Sequence, residues 1–253
     1  MCTVTYLPLP DGGYILTTNR DESSNRAAVR FPYSHQVYGK EIIFPQDGES
    51  GGSWIGATDF GVSAVIMNGA HEPHTRRPPY RMSRGQVLVD ALECIRPDEF
   101  VRNYDFDGIE PFTMLLIYSK QERVILEFRW DGETTWQKYH HPDNGHIWAA
   151  KMLYNEHAQE LRKTWFKEWL AGKHEFTQEN IMKFHYEGGA DADPGIAMRM
   201  NRQNVVATIS ITSVRMSADM GSLRYHDLRT GEKSELGFQQ LPSAMYAYVY
   251  DQN

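Results

Sequence analysis

Short turns between strand-like runs constrain this chain more than any other feature. Two runs of β-branched and aromatic residues, at positions 2–7 and 14–18, flank Pro10-Asp11-Gly12-Gly13 and read as a β-hairpin. Positions 53–58 and 62–67 read the same way around Asp59-Phe60-Gly61, with Gly51-Gly52 marking a close backbone approach before them and Asn68-Gly69 at their end. Three further runs, 112–119, 124–130 and 134–139, are separated only by 120–123 and 131–133, the pattern of an antiparallel meander. Parallel neighbours need a crossover of about a dozen residues or more, so these spacings disfavour a doubly wound parallel sheet.

Helical patterns are grouped between the strands. Residues 83–92 have amphipathic spacing with Ser83 as N-cap, and a short helix starts at Pro97. Residues 149–170 contain neither Gly nor Pro and stop before Gly172, and 177–186 repeat a helical pattern, so two helices are expected to pack together here. A Gly- and Asp-rich loop at 188–195 leads to strands expected at 204–212, 221–228, 235–241 and 245–250. Strands, helices and strands again define an α+β chain in which antiparallel sheets carry helices. With 253 residues, 41% of them hydrophobic, one domain spanning 1–253 is expected.

Composition narrows the function. A net charge of −7 argues against a nucleic-acid partner, because phosphate binding needs a clustered basic surface. The one basic cluster, Arg76-Arg77-Pro78-Pro79-Tyr80-Arg81, reads as a solvated loop with the chemistry to meet an anionic substrate group. No apolar run is long enough for membrane insertion, and the N-terminus lacks the layout of a secretory signal. Two cysteines, Cys2 and Cys94, form no disulfide framework, so a reduced cytoplasmic setting is expected. The sequence assigns no oligomeric state.

Cys2 becomes the first residue once Met1 is removed. A terminal cysteine carries a nucleophilic thiol and, in its own α-amine, a base. Antiparallel pairing around a turn near Asp11-Gly12 makes facing positions sum to about 22 to 24, which sets Cys2 opposite Arg20, Asp21 or Glu22. An arginine there favours the thiolate, and an aspartate can hold the α-amine, although Arg20 could equally pair with Asp21 or Glu22.

The start Met1-Cys2-Thr3-Val4, the tetrad Asn19-Arg20-Asp21-Glu22, the segment Gly51-Gly52-Ser53-Trp54-Ile55-Gly56 and the helix entry Ser83-Arg84-Gly85 resemble the NRDE, or transport-and-Golgi-organisation, family. That family looks like a branch of the N-terminal-nucleophile (Ntn) hydrolases. The resemblance implies an αββα sandwich of two antiparallel sheets between helical layers, and it extends to bile-salt hydrolases and penicillin V acylases. By this comparison Cys2 is the nucleophile, Arg20 supports the thiolate or substrate, Asp21 orients the amine and Asn68 is the oxyanion-hole donor. Related acylases carry a second asparagine and a later arginine around the site, and many NRDE proteins have an Arg-Ser-Ser-Thr run in a late strand. The corresponding stretch here, 205–210, has no arginine, which leaves Arg202, Arg215 and Asn201 as replacements to be weighed.

The expected function is that of an N-terminal-cysteine amidohydrolase or acyltransferase. Its partner is a small-molecule acyl amide or thioester, and it uses no cofactor. The alternative is a non-catalytic carrier of a lipid, acyl thioester or haem-like ligand on the same fold. His71 and His74, and His140, His141 and His146, lack zinc-site spacing, and Asp191 and Asp193 lack the remaining ligands of a calcium loop, so no metal is expected.

Overall fold

The computed structural model describes residues 3–94, 96–119 and 122–241. Cys2 and the strand expected at 245–250 lie outside them. The first hairpin comprises β1 (Thr3–Pro8) and β2 (Tyr14–Ser23), followed by β3 (Arg30–Val37), β4 (Lys40–Gln46), β5 (Ile55–Thr58) and β6 (Ser63–Asn68). Two helices, α1 (Arg84–Glu93) and α2 (Pro97–Asn103), precede β7 (Phe112–Ser119), β8 (Arg123–Trp130), β9 (Thr135–His140) and β10 (His146–Ala149). Then come α3 (Glu156–Leu170), α4 (Gln178–Glu187), β11 (Asn201–Arg202), β12 (Val206–Met216), β13 (Met220–Asp227) and β14 (Lys233–Gln239).

The strands form two antiparallel seven-stranded sheets, one in the order β10-β1-β2-β12-β13-β14 with β11 beside β12, the other running β3 to β9 in sequence order. Strand alternation builds the layers. The paired residues Tyr6 and Leu16 face the other sheet and join Trp54, Val65, Leu115 and Val214 between the sheets, whereas the next pair, Leu7 and Ile15, faces Phe166 of α3 and Ile181 and Phe184 of α4. On the second sheet Ala64 and Ile66 face Val87, Leu88 and Leu92 of α1, while Val65 and Met67 turn inward. The result is the expected αββα sandwich. Because both faces of the central strands are covered, β1 and β6 read as continuous buried runs rather than as alternating ones.

Three local expectations need correction. Helix α3 begins at Glu156, not at Ala149: Ala149 is taken by pairing with Thr3 at the sheet edge, and Asn155 starts the helix by accepting the Ala158 N–H at 2.9 Å. The hairpin of β3 and β4 was not anticipated, because β3 is largely exposed and polar and has no hydrophobic alternation to show. Of the late strands, β12 starts two residues later than expected and runs on to Met216, while β13 and β14 begin one and two residues early. Among the described residues no helix is long and apolar enough to cross a membrane.

Candidate active site

Two glycine contacts join the conspicuous motifs of the first ninety residues. A Cβ on Gly52 would fall 2.3 Å from the Gly85 carbonyl carbon, and one on Gly85 would fall 2.8 Å from Ser53 O. Only glycine permits this crossing, which the Ser53 N–H to Gly85 O bond of 3.0 Å fastens. It brings the first turn of α1, capped by Ser83 at the Gln86 N–H (3.1 Å), against the entry to β5. A cavity of about 610 Å³ opens there, lined among others by Arg20, Asp47, Trp54, Asn68, Arg84 and Glu110.

Arg20 enters from β2. Its guanidinium lies 4.1 Å from the centre of the Trp54 ring and pairs with Asp47, so the acid expected from Asp21 or Glu22 is supplied by the β4–β5 loop instead. Arg26 adds a second contact to Asp47 at 2.9 Å, and the Glu49 and Ser50 N–H groups donate to the same carboxylate. Burial opposes ionisation of Asp47, but hydrogen bonds from Arg26 and Ser50 and the charges of Arg20 and Arg26 outweigh it and hold the carboxyl far below its ordinary pKa.

Asp21, the next residue along the strand, faces the opposite side, as strand geometry requires. It accepts from Tyr154 Oη and Thr208 Oγ1, each at 2.5 Å, and does not line the cavity. Tyr154 is covered by the guanidinium of Arg162, 3.4 Å from its ring centre. The register of β2 against β12 shifts between Thr208 and Ser210, a bulge that falls beside Arg20 and Asp21. Asn19, on the same face as Asp21, donates to His185 O at 3.1 Å and Met198 O at 2.5 Å, while its Oδ1 lies 2.6 Å from His185 Nδ1.

Asn68 ends β6 opposite Phe112 and lines the cavity with Arg20. Its Oδ1 is buried without a hydrogen-bond partner among the described residues. That unmet atom is the acceptor end of the amide, whereas an oxyanion would be met by its Nδ2 donors.

Sequence reasoning therefore brings Arg20 and Asn68 to one cavity and Asp21 to the reverse face of the same strand; Cys2 lies outside the described residues. The replacements weighed for a late arginine sit elsewhere: Arg215 pairs with Asp11 at 3.1 Å, Arg202 bonds Leu153 O at 2.6 Å and Asn201 bonds Asn204 at 2.8 Å. Arginines that do line the cavity include Arg26, Arg76 and Arg84. Asp47, Glu110 and Tyr154 were missed. Asp47-Gly48 ahead of Gly51-Gly52 was the available signal for the first, and Tyr154 was hidden inside an overextended helix. The histidines serve as single partners, His74 to Glu110 at 3.3 Å and His140 to Glu127 at 2.6 Å. Among the described residues no group of three or more His, Cys, Asp or Glu could hold a metal.

This fold is shared with solved hydrolases. The chain is similar to the Caenorhabditis elegans N-acylethanolamine-hydrolyzing acid amidase ortholog, with a TM-score of 0.54 and 14% identity over 84% of this chain and 92% of that one. The C2A mutant of conjugated bile acid hydrolase from Clostridium perfringens gives 0.52 and 10% identity over 93% and 92%. Penicillin V acylase from Agrobacterium tumefaciens gives 0.53 and 9% over 93% and 86%. At such identities the likeness concerns architecture, and it makes this an Ntn-hydrolase-like fold. No curated protein matches the chain. The chain belongs to the Transport and Golgi organisation 2 family, whose model matches residues 1–214.

Proposed function

We propose that the protein is an N-terminal-cysteine amidohydrolase or acyltransferase that forms an acyl-enzyme on Cys2 from a linear amide or thioester. One observation carries this reading: the β1–β2 register sums to 22, from Val4 with Thr18 to Pro8 with Tyr14. That sum falls in the range of 22 to 24 from which the sequence reading expects Cys2 to face Arg20, Asp21 or Glu22, and Arg20 lies in the cavity that Asn68 also lines, which supports these residues serving one site.

In the proposed reaction Met1 is removed and the α-amine of Cys2 takes the thiol proton. The thiolate, favoured by the Arg20 charge, adds to the substrate carbonyl. The Asn68 amide N–H donates to the developing oxyanion, a contribution of about 3 to 4 kcal/mol for a well-placed donor. The amine returns its proton to the leaving nitrogen, or the thiolate of a thioester departs, and water or another acceptor then releases the acyl group. Asp21, held by Tyr154 and Thr208, orients the amine from the far side of the strand.

The test is acyl trapping on the native protein with amide and thioester probes, followed by mapping of the labelled residue. Label on Cys2, lost together with turnover in Cys2→Ala, supports the reading. Ligand retention that survives Cys2→Ala without any acylation points to the carrier alternative instead.

A further inference from the structure

The basic loop singled out in the sequence is half inside the cavity. Arg76 and Arg84 both line it, and both reach the one carboxylate of Glu110, with Arg76 Nε 3.2 Å from Oε1 and Arg84 Nη2 3.3 Å from Oε2. His74 Nε2 approaches the same carboxylate at 3.3 Å. Glu110 thus faces two guanidinium groups at 3.2 to 3.3 Å and is the only acid paired with Arg76 among the described residues, while Glu22 and Asp47 also line the cavity. The first turn of α1 adds the positive end of its dipole to the same wall, where Ser83 and Gly85 also line the cavity. Glu110 stands two residues before Phe112, the strand partner of Asn68, and both Glu110 and Asn68 line the cavity. Tyr80, Met82 and Met152 supply apolar surface in this cavity.

We infer that Arg76 and Arg84 form a seat for an anionic group on the substrate, a carboxylate or phosphate carried a few bonds from the carbonyl that meets Asn68. The inference rests on the proposed acyl chemistry for its orientation but not for its binding. An incoming anion shares the two guanidinium groups with Glu110, taking N–H donors that the single Glu110 contacts leave over, a geometry that suits arginine better than lysine.

Matched linear amides of equal length, ending in carboxylate, phosphate, primary amide or trimethylammonium, test this on the full-length protein. Affinity is measured by calorimetry, and Cys2 acylation by intact mass. An anionic end is expected to bind at least about tenfold tighter than the neutral one, and the ratio should fall towards one in Arg76→Gln and Arg84→Gln. It should persist in Arg77→Gln, which does not line the cavity. Carboxylate against phosphate identifies the source of the anion. If Arg84→Gln unfolds, the exposed Arg76→Gln decides alone. Equal binding of neutral and anionic ends, or a ratio unchanged by both variants, overturns the seat. Anion preference without Cys2 acylation keeps the seat and overturns the acyl-enzyme reading; acylation without end-group preference does the reverse.

Discussion

Tyr154 Oη lies 2.5 Å from Asp21 Oδ2, and both residues are almost completely sealed from solvent. The bond ties the turn ahead of α3 to the strand that carries Arg20. Tyr154→Phe removes the donor and leaves the carboxylate with Thr208 as its remaining hydroxyl partner, at an expected cost of about 1 to 3 kcal/mol. Urea unfolding measures it. If Asp21 orients the Cys2 amine, the same variant also shifts the pH profile of Cys2 alkylation, which a purely structural role does not.

Asp47 holds two arginines, and its side chain is 6% exposed against 2% for Arg20. Breaking a buried pair from one side typically costs about 3 to 5 kcal/mol, so Asp47→Asn should destabilise the protein by an amount in this range while Arg20 loses its nearest charge. A loss below about 1 kcal/mol in chemical denaturation contradicts the assignment.

Acid sensitivity should have two parts. Burial lowers the His185 pKa from 6.5 to about 3, helped by the charge of Arg162. The unfolded chain takes up that proton first, so stability is full above about 6.5 and declines as pH falls towards 3. Glu127 behaves as a depressed carboxyl: burial opposes its ionisation, but His140, Arg129 and Trp148 bring its pKa to about 2. Its contribution, like that of Asp47, is present above the unfolded carboxylate range near 4 and is lost as pH falls below it. Melting temperatures against pH should therefore flatten between 6.5 and 4.5 in a folded His185→Gln variant, and mainly below 4.5 in Glu127→Gln.

Gly52→Ala places a methyl 2.3 Å from the Gly85 backbone, where no side chain can yield. The expected loss is about 1 to 3 kcal/mol or more, with α1 displaced from the cavity. An unchanged melting temperature counts against this crossing as the link between the two motifs.

The antiparallel pairing was legible in the sequence because tight turns join successive strands, and the cap at Ser83 marked α1 directly, whereas the αββα layering came from the family resemblance. The hairpin spacing anticipated the observed register, whose sum of 22 lies within the expected range. What escaped was long-range pairing. Ala149 has helical company in sequence and becomes a strand residue only because the edge of β1 is free to take it. Asp47 and Glu110 sit in loops, where neither periodicity nor propensity marks a charge that is to be buried against arginines from distant segments.

Asn68→Ala separates chemistry from stability. With no protein partner for Oδ1 among the described residues, the substitution should leave unfolding nearly unchanged and lower the rate of Cys2 acylation by about 10² to 10³.

The central claim is that position 2 carries an acyl-forming terminal thiol. Intact-mass analysis of the native protein before and after an amide or thioester probe tests it most directly. The account predicts a chain lacking Met1 that gains one acyl group on Cys2 and none in Cys2→Ala. A native chain that retains Met1, or a probe adduct that maps to Cys94 instead, contradicts it.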